Sequence, residues 1–226
     1  MWLIAGLGNP GPGYVGNRHN VGFMVLDRLA QRLQVDSWRE KFSGQLVRVA
    51  LKAEDAWLLK PTTYMNLSGE SVQPCAAFYK IPLERIVVVH DELDLPLGTC
   101  RIKKGGGTGG HNGIRSLSER LGADFIRVRI GVGRPPPEYR GDVADYVLTN
   151  FRMEEREKLS ESLKNAERSV IDIATRGLAA AMKRANTRPK KPKAAPPEKK
   201  EGEETEQPNG DEPRENGNPP SDGTPP

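Results

Sequence analysis

Cysteine and histidine are both scarce in this chain of 226 residues, which holds two cysteines and three histidines. Cys75 and Cys100 are too few and too far apart for a disulfide framework or a thiolate metal site, and such sparse use of cysteine favours a reducing compartment. With so few histidines, a metal cluster is also a poor explanation for any reactive site. The sequence therefore predicts a protein without disulfides and without a bound metal.

Long hydrophobic runs are missing as well. A membrane span needs roughly 20 apolar residues, and no run approaches that length. At the N-terminus, Met1-Trp2-Leu3-Ile4-Ala5 leads directly into glycine, too short for the apolar core of a signal sequence and without basic flanks. We therefore expect a cytoplasmic protein with no membrane partner.

The end of the chain has no large apolar side chains at all. From Thr187 to Pro226 there is no Val, Ile, Leu, Met or aromatic residue, and the segment holds ten of the nineteen prolines. It cannot bury enough apolar surface to offset its loss of conformational entropy. We expect one folded domain over residues 1–186 and a disordered Pro/Glu/Lys-rich tail over residues 187–226.

Separating the tail changes the charge of what remains. The body carries 27 basic and 21 acidic residues, a net charge of +6, against +4 for the whole chain. A basic body suits a polyanionic partner such as a nucleic acid. Ordinary solubility explains a charge of this size equally well, so charge alone does not decide between the two.

Periodicity in the body predicts strands that mix with helices, which is typical of a single α/β domain. Apolar runs bounded by Gly, Pro and Asp predict strands at 2–5, 45–51, 56–60, 86–90, 99–103 and 127–132. Helical spacing predicts helices that begin near Val21, after Asn66, near Asn112 and near Met153. Asn112 is a candidate N-cap, and Pro74 interrupts the second of these helices.

The first glycine motif, Gly6-x-Gly8-x-x-Gly11, matches the dinucleotide-binding fingerprint in its glycine spacing but not in its structural context. That fingerprint needs a helix that starts on its glycines, so that free N–H groups meet the pyrophosphate. Pro10, Pro12 and Gly13 prevent a helix from starting before about Asn20. We therefore expect no nucleotide cofactor, and no other cofactor is indicated.

A second glycine-rich segment, Gly105 to Gly113, is more specific. It has five glycines in six positions directly before a predicted helix, which exposes backbone N–H groups and lets a large ligand approach the main chain. Basic residues flank it, and together they could hold a phosphate: Lys103, Lys104, Arg127 and Arg129. The alternative is a flexible loop with solvated lysines.

His19 is the strongest candidate for a general base, because it lies at a helix entrance where a side chain can be both reachable and fixed. Asp91 ends a buried strand, where α/β sheets present functional groups, and its carboxylate could fix the tautomer of an imidazole. No Gly-x-Ser-x-Gly motif is present, and Ser68 fits a helix start, so attack by an activated water is preferred. Amides for substrate carbonyls or an oxyanion would come from Asn9, Asn66 and Asn112.

Four sequence blocks, in order, resemble the bacterial-type peptidyl-tRNA hydrolase family. They are GLGNPG with RHNVG, KPTTYMNLSG, HDELDLPLG and GGGTGGHNG, and the match extends from about Trp2 to about Ala185. The resemblance implies a monomeric α/β domain with a twisted mixed sheet surrounded by helices. It also implies hydrolysis of the ester that joins a peptide to the 3′-terminal ribose of tRNA, which recycles tRNA from peptidyl-tRNA dropped by ribosomes.

The resemblance also implies roles for individual residues. His19 would be the base, Asp91 would stabilise its active form, and Asn112 would help to hold the water or the ester carbonyl. Substrate contacts would come from Tyr14, Tyr64 and Asn66, discrimination of a blocked nitrogen from Asn9, and a clamp for the tRNA 5′ phosphate from Lys103 and Arg129. Because relatives of this fold bind RNA without hydrolysis, a non-hydrolytic RNA-binding protein is the alternative.

Overall fold

The computed structural model describes residues 1–52 and 54–187, so the predicted tail from residue 188 onward lies outside the described residues. Seven strands form one mixed sheet in the order β2-β3-β4-β1-β5-β7-β6. Their bounds are β1 Trp2–Gly6, β2 Arg39–Glu40, β3 Gly44–Leu51, β4 Glu54–Pro61, β5 Ile86–Glu92, β6 Cys100–Lys104 and β7 Ile126–Gly131. The four central strands β4, β1, β5 and β7 are parallel, and the outer pairings are antiparallel. The predicted α/β fold with a mixed sheet is confirmed.

Six α-helices accompany the sheet in the described residues: α1 Val21–Arg32, α2 Ser68–Phe78, α3 Asn112–Leu121, α4 Val143–Val147, α5 Arg156–Arg176 and α6 Leu178–Asn186. Alternate side chains of the parallel strands point to opposite faces of the sheet. Val87 and Val89 therefore join α1 and α5 in one core cluster, while Val88 joins α2 and α3 in another. The candidate active site lies at the carboxyl ends of these parallel strands. In residues 1–52 and 54–187, every helix is too short or too polar to cross a bilayer.

The elements differ from the sequence-based expectations in several details. The helical stretch from Met153 is two helices, because Gly177 has a φ of 84° and ends α5. The two-residue strand β2 and the five-residue helix α4 were not predicted, since both are too short for a periodic pattern. Pro74 lies inside α2 without ending it.

The N-cap of α3 is His111, so the prediction of Asn112 as N-cap is wrong. The backbone of His111 is extended, and its Nδ1 accepts hydrogen bonds from the N–H groups of Gly113 at 3.1 Å and Ile114 at 3.3 Å. Imidazole thus replaces the usual short polar cap. Asn112 becomes the first residue of the helix, and its side chain does not cap it.

Candidate active site

The order of the parallel strands creates a crevice at their carboxyl ends. The chain passes from β1 to β4 on one side of β1, and then crosses through α2 to β5 on the other side. At such a reversal the loops after neighbouring strands separate, and α/β sheets bind ligands there. Asn9 follows β1, Tyr64 and Asn66 follow β4, and Asp91 lies near the end of β5.

A cavity of about 800 Å³ opens at this crevice. It is lined by seven of the nine predicted site residues, namely Asn9, Tyr14, His19, Tyr64, Asn66, Asp91 and Asn112. Val143, Ala144, Val147 and Leu148 form an apolar wall that sequence analysis missed. Lys103 and Arg129 do not line the cavity.

Close packing of glycines brings His19 to this crevice. A Cβ atom on Gly6, at the end of β1, would overlap the carbonyl of Gly22 in the first turn of α1. The missing side chain therefore lets the start of α1 lie directly against the end of the strand. A 3₁₀ turn, Arg18–Asn20, immediately precedes α1 and carries His19, as the sequence predicted for a helix entrance.

Asp91 accepts hydrogen bonds from two histidines through one carboxylate oxygen. Nδ1 of His19 lies 2.8 Å from Oδ1 of Asp91, and Nε2 of His111 lies 3.0 Å from the same atom. Because Nδ1 of His111 accepts two backbone N–H bonds, its proton must be on Nε2, which donates to Asp91. His111 therefore holds Asp91 in place, a role that sequence analysis did not assign.

The same bonding fixes the tautomer of His19. Its Nδ1–H donates to the carboxylate, so Nε2 keeps its lone pair for a proton. Burial opposes the charged form of His19, but the negative charge and hydrogen bond of Asp91 outweigh it, so the pKa of His19 is raised above its ordinary value. Although burial would raise the pKa of Asp91, the two histidines hold it well below its usual range.

Four other candidate nucleophiles and bases in the described residues are poorly placed. Burial, with the adjacent His111, holds the pKa of His90 well below its ordinary value. Burial raises the pKa of Cys75 to about 12 and that of Cys100 to about 11, so neither thiol forms a thiolate readily. Ser68 is fully buried, and its hydroxyl donates to the carbonyl of Met65. Neither a serine nor a cysteine nucleophile is therefore available at these positions.

His19, Asp91 and His111 also lie close enough for a metal ion, with their ligand atoms within 4.8 Å of one another. A metal on Nε2 of His111 would force the ring proton onto Nδ1, where it would face the two N–H groups of the helix start. Binding would therefore break the N-cap of α3. The hydrogen bonding of His111 favours proton transfer at this cluster over metal ligation.

Asn9 is held with its amino group free for a ligand. Its Oδ1 accepts from the N–H of Met65 at 2.9 Å, while its main chain exchanges two bonds with the side chain of Asn20. Since only an oxygen can accept from Met65, the Nδ2 group is left as the donor. Asn9 can therefore donate to a carbonyl of a molecule in the cavity.

Four basic residues of β6 and β7 lie on one face of the sheet. Lys103 is opposite Arg127 and Arg101 is opposite Arg129 in the β6–β7 ladder, and paired side chains share a face. Lys103 is exposed, and half-buried Arg129 donates to Glu92 at 3.0 Å. Arg127, by contrast, is buried and donates to the carbonyls of Gly106 and Gly107, both at 2.6 Å. The expectation that Arg127 holds a phosphate is wrong, because it fastens the glycine-rich loop instead.

The fold and the cluster define a class of protein: an α/β enzyme whose buried carboxylate orients an imidazole toward a cavity. Comparison with known proteins gives the family. A model of the peptidyl-tRNA hydrolase family matches residues 3–194, and the chain belongs to that family. It is therefore a hydrolase, and its substrate includes tRNA.

Individual relatives support this assignment over most of the chain. The chain is 55% identical over 191 residues to a peptidyl-tRNA hydrolase of Sorangium cellulosum, which covers 84% of this chain and 86% of that protein. With a peptidyl-tRNA hydrolase of Geobacter sulfurreducens it shares 51% identity over 177 residues, 78% of this chain and 90% of the relative. The crystal structure of peptidyl-tRNA hydrolase from Acinetobacter baumannii superposes with a TM-score of 0.76 at 38% identity, covering 82% of this chain and 94% of that one.

Proposed function

We propose that His19 activates the water that cleaves the ester between peptide and tRNA. The observation that carries the proposal is the 2.8 Å hydrogen bond from Nδ1 of His19 to buried Asp91, which leaves Nε2 as a base. A water on Nε2 loses its proton to the ring as its oxygen attacks the ester carbonyl carbon. Asp91 stabilises the imidazolium that forms.

The collapse of the tetrahedral intermediate completes the reaction. The bond from the carbonyl carbon to the 3′ oxygen of the ribose breaks, and His19 returns its proton to that oxygen. Asn112 lies in the first turn of α3 and lines the cavity, and it would hold the water or donate to the developing oxyanion. The products are a peptide carboxylate and tRNA with a free 3′ hydroxyl, and no cofactor takes part.

Asn9 accounts for a preference for blocked substrates. Its free Nδ2 donor matches the carbonyl of a peptide bond or an N-acyl group, which an aminoacyl-tRNA with a free amine lacks. The apolar wall of α4 would contact the side chain of the terminal residue, and Tyr14, Tyr64 and Asn66 the remaining substrate near the ester. Such a site would recognise the acylated amine and the ester at the 3′ end of the tRNA instead of the base sequence of the tRNA.

Lys103 and Arg129 would bind tRNA phosphate outside the cavity. Lys103 lies on the edge strand β6 and Arg129 on the neighbouring strand β7, and phosphate contacts position an RNA without reading its sequence. We expect the enzyme to act as a cytoplasmic monomer that recycles tRNA during translation. Sedimentation of the full chain, alone and with tRNA, tests the monomer.

The direct experiment compares two substrates and two proteins. An N-acetyl-aminoacyl-tRNA and the same aminoacyl-tRNA with a free amine are given to the wild type and to His19→Ala, and tRNA affinity is measured separately. We expect rapid cleavage of the blocked substrate by the wild type alone, with tRNA binding kept in the variant. Binding of tRNA without cleavage of either substrate by the wild type would favour the non-hydrolytic RNA-binding alternative.

A further inference from the structure

Arg18, which directly precedes His19, is buried although arginine side chains usually reach water. Its side chain is 3% exposed. The guanidinium lies over two aromatic rings, 4.6 Å from the ring centre of Tyr146 and 4.7 Å from that of Phe151. This stacking uses the planar, weakly hydrated form of arginine, which lysine cannot reproduce.

Polar contacts hold the same group at its edges. Nη2 of Arg18 donates to Oε2 of Glu155 at 2.7 Å, and Nε donates to the hydroxyl of Thr149 at 3.3 Å. Burial favours the neutral acid, but the hydrogen bonds from Arg18 and from the backbone N–H of Arg152, together with the charges of both arginines, outweigh burial and lower the pKa of Glu155. The carboxylate therefore stays charged, and the buried cation has a paired anion.

The partners of Arg18 belong to the segment that forms the apolar wall of the cavity. Tyr146 is in α4, and Thr149, Phe151 and Glu155 follow within nine residues. Main-chain bonds join the two segments as well: the N–H of Arg18 donates to the carbonyl of Thr149 at 3.0 Å. Asn17 and Asn150 form a β-bridge beside it. The turn that carries the base and the wall that faces the substrate therefore share one buried junction.

We propose that the Arg18–Glu155 ion pair is a positioning device of the active site, which fixes the turn carrying His19 relative to the α4 wall. The proposal rests on the proposed function of His19 as the base. Neither Arg18 nor Glu155 lines the cavity, so the pair acts through its neighbours. It predicts that the alignment of base, water and ester depends on residues that never touch the substrate.

The expected size of the effect follows from the narrow geometry of base catalysis, in which a misplacement of 1 Å reduces the rate about 100-fold. Two variants weaken the ion pair while keeping a side chain of similar size at each position. Arg18→Lys keeps the charge but loses the stacked plane and the forked donors, and Glu155→Gln keeps the shape but loses the charge. We expect each to lower kcat about tenfold or more while KM changes less than twofold.

An arginine–glutamate ion pair outside the cavity lining supplies the control, although its arginine is 60% exposed and the carboxylate is the buried partner. Nη1 of Arg32 in α1 lies 2.7 Å from Oε1 of buried Glu167 in α5, and neither residue lines the cavity. Arg32→Lys and Glu167→Gln make the same two kinds of substitution in an ion pair that joins two helices. We expect these variants to lower the melting temperature while leaving kcat, KM and the pH profile at wild-type values.

A spectroscopic measurement separates positioning from mere stability. The Nδ1 proton of His19, held at 2.8 Å by Asp91, should give a slowly exchanging downfield NMR signal in protein labelled with ¹⁵N-histidine. In Arg18→Lys and Glu155→Gln this signal should weaken or shift, and in both control variants it should remain. If Arg18→Lys does not fold, Glu155→Gln alone decides the question.

Wild-type kcat, pH profile and NMR signal in Glu155→Gln would overturn the proposal, even if its melting temperature fell. So would a loss of activity of equal size in the Arg32 and Glu167 variants. A failure of the proposed function is distinguishable, since it would appear as full activity of His19→Ala. A wrong positioning role would instead leave His19→Ala inactive and Glu155→Gln normal.

Discussion

At the scale of single residues, the chemistry depends on which nitrogen of each histidine carries the proton. His111 caps α3 through Nδ1 and donates from Nε2 to Asp91, while His19 donates from Nδ1 and leaves Nε2 free. One carboxylate oxygen of Asp91 therefore accepts two hydrogen bonds, one from the 3₁₀ turn before α1 and one from the N-cap of α3. The backbone of α3 thus sets, through His111 and Asp91, the tautomer of the proposed base His19 in the turn before α1.

Asp91→Asn should change both the rate and its dependence on pH. In the wild type, kcat/KM should rise as His19 loses its proton, with a midpoint above the ordinary histidine value, because Asp91 raises the pKa of His19 against the effect of burial. Without the carboxylate only burial remains, so the midpoint should move to lower pH. The loss of base alignment should reduce kcat about 100-fold or more. A pH–rate profile with an unchanged midpoint would show that Asp91 does not act on His19.

Asn9→Asp tests the donor that faces the cavity. The carboxylate still accepts from the N–H of Met65, so the loop after β1 keeps its anchor, but the amino donor is gone. We expect kcat/KM for N-acetyl-aminoacyl-tRNA to fall about tenfold or more, since one hydrogen bond is removed and a charge is added beside the ester. Asn9→Ala loses both groups and should be less stable as well. Unaltered discrimination between blocked and free amines in both variants would remove Asn9 from substrate recognition.

At the scale of elements, apolar runs and helical spacing predicted the six longer strands and the long helices, because these features follow directly from burial. The position of His19 at a helix entrance was also predictable, because the prolines before it prevent α1 from beginning earlier than Val21. The five-residue helix α4 carries too few residues for a period, and with it the apolar wall was missed. The contacts of Arg127 and His111 depend on which loop folds back onto which strand, information that no local pattern contains.

The face of β6 and β7 that carries the basic residues yields a prediction about salt. Lys103→Ala combined with Arg129→Ala should raise KM and flatten its dependence on salt, because fewer counterions are released when tRNA binds. Since the double variant lacks two cations that would each neutralise a phosphate, the slope of log KM against log salt should fall by about 1 to 2. The glycine-rich loop should keep its form, since Arg127 remains to hold it.

The matched control lies at the opposite edge of the same sheet. Arg39→Ala with Arg48→Ala removes the same charge from β2 and β3, far along the strand order from β6. An equal change of salt slope in both double variants would show a general charge effect and no clamp at Lys103 and Arg129.

At the scale of the whole molecule, the basic body and the buried reaction centre have separate proposed roles. The body carries a net charge of +6, which favours association with RNA, whereas the crevice between the ends of β1 and β5 holds the proposed reaction site. Neither property alone identifies an enzyme. Their combination in one fold agrees with a substrate that is mostly polyanion but reacts at a single ester.

Deleting residues 187–226 should leave the melting temperature and the hydrolysis rate nearly unchanged. The described core clusters draw their residues from positions 2 to 185, so the truncation leaves their packing intact. Calorimetry and steady-state kinetics of the truncated and full chains check this. A large fall in either quantity would mean that the tail docks on the body or on tRNA.

Chemical rescue of His19→Ala tests the role of His19 as the base most directly. The measured quantity is the single-turnover rate of hydrolysis of saturating N-acetyl-aminoacyl-tRNA. Removing the base should lower the rate about 100-fold to 10,000-fold without weakening tRNA binding. Free imidazole should then restore part of the rate in His19→Ala and leave Asp91→Asn unchanged, because only the first variant has lost the ring. Hydrolysis by His19→Ala at the wild-type rate would contradict the assignment of His19 as the base.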